Sequence, residues 1–305
     1  MKPLVTRQSY MALNVQDLDA CVKDAHDIAG LQLVERTNDR AILTSNASHA
    51  ELVLHRAAED AARCVGLEAP GAVAVDQAAA SIRSAGLRIL SEKPSLACID
   101  RSVTFATSEG HVLEVHTPMP ETQRRRYPGP GIHPKRIDHV NLAAIDPWTA
   151  HLELGKAIGL KLSERTTHNE LMWMRAADNR HHTVGIAKSR SPGLHHYCWE
   201  FAQFTDFMRL GDVLDSVDRT MVWGPGRHGA GDNLFTYYVD PAGFLVECSS
   251  EMEIMEDGAP PRVVDAPPDL SNAKLVNRWG TLPPRAWLEH HSSFARWDEA
   301  YSLAS

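Results

Sequence analysis

Two histidines and one glutamate in the second half of the chain stand in otherwise apolar, strand-like stretches. They are His139, His196 and Glu247, and Glu247 ends the apolar run after the turn at residues 240–243. A carboxylate in such a strand is costly unless it is paired or bound to a cation. Side chains of neighbouring strands can point at one centre, because strand residues alternate between the two faces of a sheet. Two imidazoles and one carboxylate leave coordination positions open on a divalent metal, which suits Fe(II) oxygen chemistry.

The two halves of the chain resemble each other, and the comparison supports this ligand set. Three pairs of segments match: 10–13 with 139–142 at an offset of 129 residues, 64–68 with 196–200 at an offset of 132, and 110–114 with 243–247 at an offset of 133. Such nearly constant offsets indicate a duplicated unit. Opposite the three candidate ligands the first half has Tyr10, Cys64 and Glu114, so we expect a metal in the second half alone. The same alignment selects His196 over His195.

Hydrophobic periodicity predicts two modules in each half, each with a strand, a helix and three further strands. The predicted helices cover 18–28, 75–85, 148–158 and 205–217. We therefore predict an α+β fold of four βαβββ modules in two tandem domains, each a cupped mixed sheet with helices outside.

The predicted domain organisation follows from the repeat and from a change in composition between its halves. Arg124, Arg125 and Arg126 precede a segment rich in proline and glycine, which is typical of a linker. The predicted boundaries are 1–120 for a pair of modules without metal, 121–136 for the linker, 137–250 for the metal-binding pair and 251–305 for a tail that packs on the domains.

Composition excludes several classes of function. The 305 residues are 43% hydrophobic and 23% charged, as in an ordinary soluble protein, and the net charge of −8 argues against nucleic acid as a partner. No apolar run reaches transmembrane length, and the N-terminus lacks the apolar core of a signal peptide. The five cysteines form no Cys-x-x-Cys pair, which favours reduced thiols in the cytoplasm.

The motifs around these residues resemble those of extradiol catechol dioxygenases, the two-domain type of the vicinal oxygen chelate superfamily that includes catechol 2,3-dioxygenase and dihydroxybiphenyl dioxygenase. The motifs are Asp-His-Val-Asn-Leu, Leu-His-His-Tyr, Asp-Pro-Ala-Gly-Phe-Leu-Val-Glu and Gly-Pro-Gly-Arg-His-Gly. The resemblance covers residues 5–250 in architecture and 137–250 in motifs. It implies ring cleavage of a catechol by O2 at Fe(II), with Mn(II) as the other possibility, in a homo-oligomer that degrades aromatic compounds.

The resemblance also implies roles for three further residues. His181, fifteen residues before His196, would act as acid and base. Strand alternation predicts that the side chain of its neighbour His182 points to the opposite face of the strand. His228 and Tyr237 would hydrogen-bond the substrate oxygens. Each role has a plain alternative: His181 as half of a surface pair, His228 placed in its glycine-rich loop by chance, and Tyr237 as a core aromatic.

A substrate wall is predicted from strand alternation. Asn141 is two residues beyond His139 and shares its face, and Met172 and Met174 would supply an apolar wall on a nearby strand. This favours a catechol with a polar substituent.

Two other functions remain open at this point. One is another metal-dependent reaction of the superfamily, such as an isomerase or a glyoxalase-like lyase, although those enzymes usually draw ligands from both halves. The other is a protein that binds an aromatic compound without converting it.

Overall fold

The computed structural model describes residues 2–121, 129–267 and 273–297, so Arg124, Arg125 and Arg126 lie outside the described residues. The first half forms an eight-stranded sheet in the order β2-β3-β4-β1-β5-β8-β7-β6. Its elements are β1 Arg7–Val15, α1 Leu18–Asp27, β2 Gln32–Arg36, β3 Arg40–Thr44, β4 Leu52–Arg56, β5 Ala61–Glu68, α2 Ala72–Ser84, β6 Arg88–Ser91, β7 Ser102–Ala106 and β8 Val112–His116.

The second half forms a sheet with the same plan and one added edge strand, in the order β14-β15-β16-β13-β9-β12-β11-β10-β17. Its elements are β9 Arg136–Ala144, α3 Pro147–Ile158, β10 Lys161–Thr166, β11 Leu171–Arg175, β12 Val184–Lys188, β13 Gly193–Glu200, α4 Thr205–Asp215, β14 Trp223–Arg227, β15 Leu234–Val239, β16 Leu245–Ser250, β17 Arg262–Val264, α5 Ala273–Val276 and α6 Arg285–Leu288.

Each half is two βαβββ modules joined at their first strands. In the first half β1 pairs in parallel with β4 of its own module and antiparallel with β5 of the next. In the second half β9 pairs in the same way with β12 and β13. The predicted α+β fold of four βαβββ modules is confirmed, and the four predicted helices lie within a few residues of α1 to α4.

Strand alternation separates two faces on each sheet. On β1, Met11 and Leu13 pack with the helices in the main core, while Tyr10 and Ala12 belong to a second cluster on the other face. The second sheet has a corresponding cluster that includes Trp173. The candidate site lies on this second face, opposite the face that packs with α1 to α4.

The helix ends are fixed by local sequence. Asp146 accepts hydrogen bonds from the backbone of Trp148 and Thr149 at the start of α3, and Pro147 occupies the first turn, where a missing N–H costs nothing. Gly159 ends α3 in the left-handed conformation. Within the described residues, helices long and apolar enough to cross a bilayer are absent.

Candidate metal centre

Three adjacent strands bring the predicted ligands together. His139 lies on β9, His196 on β13 and Glu247 on β16, in neighbouring positions of the sheet. The Nε2 atoms of His139 and His196 lie 3.1 and 3.0 Å from Oε2 of Glu247. The three side chains are only 1%, 3% and 1% exposed in that order. Two imidazole nitrogens and a carboxylate oxygen therefore converge on one buried point.

The tautomer of His139 is set by a buried carboxylate. Nδ1 of His139 donates to Oδ2 of Asp138 at 3.0 Å, so Nε2 can present its lone pair to the site. Burial alone would raise the pKa of Asp138, but the Arg180 guanidinium, 2.9 Å away, and His139 outweigh burial and lower that pKa to about 2. Asp138 is thus a permanent anion behind this imidazole.

A chain of two imidazoles sets the tautomer of His196. Nε2 of His195 donates to the backbone oxygen of Trp287 at 2.9 Å, so Nδ1 of His195 is left as an acceptor. Nδ1 of His196 donates to that acceptor at 2.7 Å, and Nε2 of His196 faces the site unprotonated. Burial lowers the pKa of His196, which also favours the neutral ring. His196, and not His195, belongs to the trio, as predicted from the repeat, while His195 lies behind it against Trp287.

Glu247 is held as a carboxylate from both oxygens. Oε1 accepts a hydrogen bond from Nδ2 of Asn233 at 3.2 Å, while Oε2 faces the two imidazoles. Burial alone would raise the pKa of Glu247, but the interactions with His139, His196 and His228 place it well below its usual range. The donor set is therefore one anion and two lone pairs, which fits a divalent iron or manganese with open positions.

A second trio, Asp138, His139 and Cys198, also brings its donor atoms within 4.8 Å of one another. Asp138 is already paired with Arg180, and burial raises the pKa of the Cys198 thiol well above its usual value, so the sulfur stays protonated. Only a thiolate is a good metal ligand. This trio is a poor metal site.

The corresponding place in the first half is closed by hydrogen bonds. The Tyr10 hydroxyl donates to the Glu114 carboxylate, which also accepts from the Ser95 hydroxyl at 2.6 Å and the Ser95 N–H at 3.0 Å. Burial raises the pKa of Tyr10 well above its usual value, so it remains a phenol.

The predicted orientations of His181 and His182 are wrong, because His182 and not His181 faces the site. The His182 ring lines the cavity, and its centroid lies 4.2 Å from that of His139. His181 is fully buried behind it, with Nε2 3.3 Å from Oε2 of Glu164 and Nδ1 3.0 Å from Nδ1 of His182. Both residues precede β12, which begins at Val184, so strict strand alternation did not apply to them.

His228 and Tyr237 lie beside the three donors in the cavity wall. Nδ1 of His228 donates to the backbone oxygen of Val276 at 2.6 Å, and the Tyr237 hydroxyl lies 3.0 Å from Nε2. Burial raises the pKa of Tyr237 well above its usual value, so this phenol remains a hydrogen-bond donor.

The predicted wall of Met172 and Met174 is also wrong, because their neighbours on the same strand face the cavity instead. Met172 and Met174 pack in the main core, on the side of the helices, whereas Leu171 and Trp173 of the same strand line the cavity. Trp173 is in register with Gly185, and Gly185 with Asn141, so Trp173 and not the methionines shares the face of Asn141. Asn141 lines the cavity, as predicted, and its buried Oδ1 has no hydrogen-bond partner among the described residues.

The tail was predicted to pack on the domains, but its contribution to the site was not predicted. Leu275, Val276 and Trp287 line the cavity together with the three donors, and its volume is about 40 Å³. Three tryptophans in a proline-rich tail were the available signal, but nothing local specified which half they would cover.

Together, the four modules in two sheets define a two-domain protein of the vicinal-oxygen-chelate fold. The crystal structure of homoprotocatechuate 2,3-dioxygenase from Arthrobacter globiformis superimposes with a TM-score of 0.87 at 21% identity, over 97% of this chain and 94% of that chain. At this identity, the likeness establishes the fold.

The sequence matches point to more particular relatives. The manganese-dependent 2,3-dihydroxybiphenyl 1,2-dioxygenase of Geobacillus genomosp. 3 is 26% identical over 259 residues, which are 78% of this chain and 82% of that relative. The Mn(II)-bound glyoxalase from Novosphingobium aromaticivorans superimposes with a TM-score of 0.84 at 26% identity, over 96% of both chains. No protein-family model matches the chain. The resemblance to extradiol dioxygenases indicated by the motifs is confirmed.

Proposed function

We propose that the chain is an extradiol dioxygenase, an oxidoreductase that opens the ring of a catechol beside its diol and adds both atoms of O2. The observation that carries this proposal is the converging trio of His139, His196 and Glu247, with both Nε2 atoms 3.0–3.1 Å from Oε2 of the glutamate. A divalent iron or manganese held there would supply electron exchange between a chelated diol and dioxygen.

Proton transfer would fall to His182, whose ring lies at the cavity wall. Its Nδ1 is paired with Nδ1 of His181, and Nε2 of His181 is paired with Glu164. A proton taken from a substrate hydroxyl by Nε2 of His182 can be matched by movement of the Nδ1 proton to His181, where the Glu164 carboxylate stabilises the positive charge. His181 is thus a positioning residue behind the group that meets substrate.

On the opposite side, His228 and Tyr237 form the hydrogen-bonding wall. The buried phenol and the imidazole lie within hydrogen-bond distance of each other, and Nε2 of His228 is 3.6 Å from Oε1 of Glu247. The Tyr237 hydroxyl can donate either to Nε2 of His228 or to an oxygen at the centre, where it would stabilise negative charge that develops on that oxygen.

The tail controls access and excludes water. A volume of about 40 Å³ holds a water or two, but not an aromatic ring. A catechol therefore enters when side chains such as Leu275 and Trp287 move, and their return seals the site. Removal of water strengthens the electrostatic interactions inside the cavity.

The wider organisation is proposed on the same basis. We assign residues 1–120 to a metal-free half, 121–136 to a linker, 137–250 to the metal-binding half and 251–305 to a tail. We also propose a cytoplasmic homo-oligomer with O2 and a catechol as its partners, without nucleic acid or membrane.

Asn141 is proposed as the polar contact that selects the ring substituent. Its buried Oδ1 is an acceptor without a partner among the described residues, so a donor on the substrate would satisfy it. We expect Asn141→Val to lower kcat/KM for polar-substituted catechols by about tenfold relative to apolar ones, as for the loss of one hydrogen bond. Met174→Leu, in the core, is the matched control. An unchanged ratio in Asn141→Val would exclude Asn141 as the selector.

The function itself is tested by anaerobic reconstitution with Fe(II) or Mn(II), followed by oxygen uptake across a catechol panel. We expect one O2 consumed per diol and the yellow absorbance of a ring-opened product. Binding of catechols without oxygen uptake under either metal would instead show a binding protein.

A glyoxalase-like lyase is the second candidate, because the Mn(II)-bound glyoxalase is similar over nearly the full chain. The ligand geometry favours the dioxygenase, since all three donors come from one half. Loss of a glutathione–methylglyoxal hemithioacetal without oxygen uptake would support the lyase.

A further inference from the structure

The first sheet borders a second cavity, open to solvent, on the face that corresponds to the candidate site. Its volume is about 910 Å³, against about 40 Å³ for the cavity beside His196. Small-molecule sites typically measure about 300–1,000 Å³. The first half therefore has ample room for a ligand. The position equivalent to the metal centre is not available, because Tyr10 and Glu114 are hydrogen-bonded to each other there.

Three polar residues, two of which line this cavity, form a row across neighbouring strands. Arg40 on β3 is in register with His55 on β4, and His55 is in register with Asn14 on β1. Nη1 of Arg63 on β5 donates to Oδ1 of Asn14 at 3.3 Å, which extends the row to a fourth strand. Arg40, His55 and Arg63 line the cavity. We name Arg40, His55, Asn14 and Arg63 the cationic row.

The positions in the second half that are equivalent to Arg40, His55 and Asn14 are apolar, whereas Arg63 corresponds to His195. Leu171 is in register with Ala187, and Ala187 with Ala143, just as Arg40, His55 and Asn14 are related in the first half. Apolar side chains thus suffice for folding at these places. The two halves have opposite chemistry: one has metal donors beside an apolar wall, and the other has the cationic row beside a closed donor position.

The row makes the cavity electropositive. Burial, followed by the charges of Arg63 and Arg40, lowers the pKa of His55 to about 3, so His55 is a neutral ring in a positive field. Arg40 also pairs with Glu35, and Arg56 with Asp19, while Asp39 is the carboxylate residue of the lining itself. The lining as a whole carries the four cations Arg40, Arg56, Arg63 and Lys93 against that single acid.

Part of the lining is apolar and suits a hydrocarbon or aromatic body. Ala12, Val53, Leu90 and Leu96 belong to this part. A ligand that satisfies both parts has an anionic head and an apolar ring. A bidentate match between guanidinium and carboxylate gives such a head both charge and direction.

We propose that the first half binds a small aromatic carboxylic acid, with its carboxylate at the cationic row and its ring against the apolar wall. This site is separate from the candidate metal centre and does not depend on the proposed catalytic function. It gives the metal-free half a binding role.

The test is calorimetric titration of the full-length metal-loaded protein with benzoate, and with benzamide as the neutral analogue. We expect benzoate to bind and benzamide to bind at least about tenfold more weakly, because it lacks the charge. Arg40→Gln and Arg63→Gln should each weaken benzoate binding by about tenfold or more, and Arg63→Lys should retain part of it.

Arg83→Gln is the matched control, because Arg83 pairs with Glu92 at the surface, outside the cavity lining. It loses the same charge and should leave benzoate binding unchanged. Thermal unfolding of each variant checks that its fold is intact. If one of the Arg40 and Arg63 variants does not fold, the other alone tests the proposal. The proposal is overturned if benzoate does not bind at millimolar concentration, if benzamide binds equally well, or if the folded Arg40 and Arg63 variants bind benzoate as the natural chain does.

Discussion

Glu247→Gln is expected to abolish stable metal binding and, with it, oxygen uptake. The amide removes the one anionic donor of the trio and leaves the two imidazoles of His139 and His196 without their charge partner. His139→Ala and His196→Ala should have the same effect, since each removes a donor directed at the common point. Metal content by elemental analysis, after gel filtration of protein reconstituted with Fe(II) or Mn(II), measures the loss.

The first half supplies the matched control for this prediction. Glu114→Gln makes the same change in the equivalent position, where the carboxylate accepts from Tyr10 and Ser95. It should leave one metal per chain. If Glu247→Gln retained the metal and Glu114→Gln lost it, the metal centre would lie in the first half, and the prediction would be wrong.

Two neighbours of the trio refine the result. Asp138→Asn should weaken metal affinity by about 10–100-fold, the usual effect of losing the carboxylate that orients a ligating imidazole. Cys198→Ser should retain the metal, because its buried thiol is not a ligand. Loss of metal in Cys198→Ser would favour the alternative trio that includes Asp138 and Cys198.

The duplicated fold and the ligand trio were within reach of sequence reasoning for one physical reason. Side chains alternate between the two faces along a regular strand, so residues at a constant offset in a duplicated fold lie at equivalent places. The offset between Cys64 and His196 therefore placed them on corresponding strands. The register shows this directly, because Ala12 pairs with Cys64 as Asn141 pairs with His196. The duplication thus turned a comparison within one sequence into a prediction about three-dimensional neighbours.

The two errors have different causes. Alternation was extended over His181 and His182, which precede β12 and do not belong to a regular strand. Met172 and Met174 lie on the regular strand β11, but they were assigned to the wrong face, because a single strand does not show which of its two faces meets the site. The tail residue Trp287 was beyond prediction because its place depends on contacts between distant parts of the chain.

His182 is expected to be the residue whose loss slows turnover while the metal centre stays assembled. It lines the cavity beside His139 without belonging to the trio, so His182→Ala should retain the metal and bind catechol anaerobically with similar affinity. A general acid–base group typically contributes about 10²–10⁴-fold in rate, and turnover should fall by that factor. Metal content, anaerobic catechol titration and single-turnover rates separate binding from chemistry.

His181→Ala is the adjacent control, and its outcome distinguishes the two neighbours. His181 meets His182 on one side and Glu164 on the other, without lining the cavity, so its removal should slow turnover much less than removal of His182. Its effect should be a changed pH profile of kcat, because the imidazole that shares the proton with His182 is missing. A slow His181→Ala beside a near-normal His182→Ala would mean that His181 meets the substrate and that the orientation of this pair is reversed.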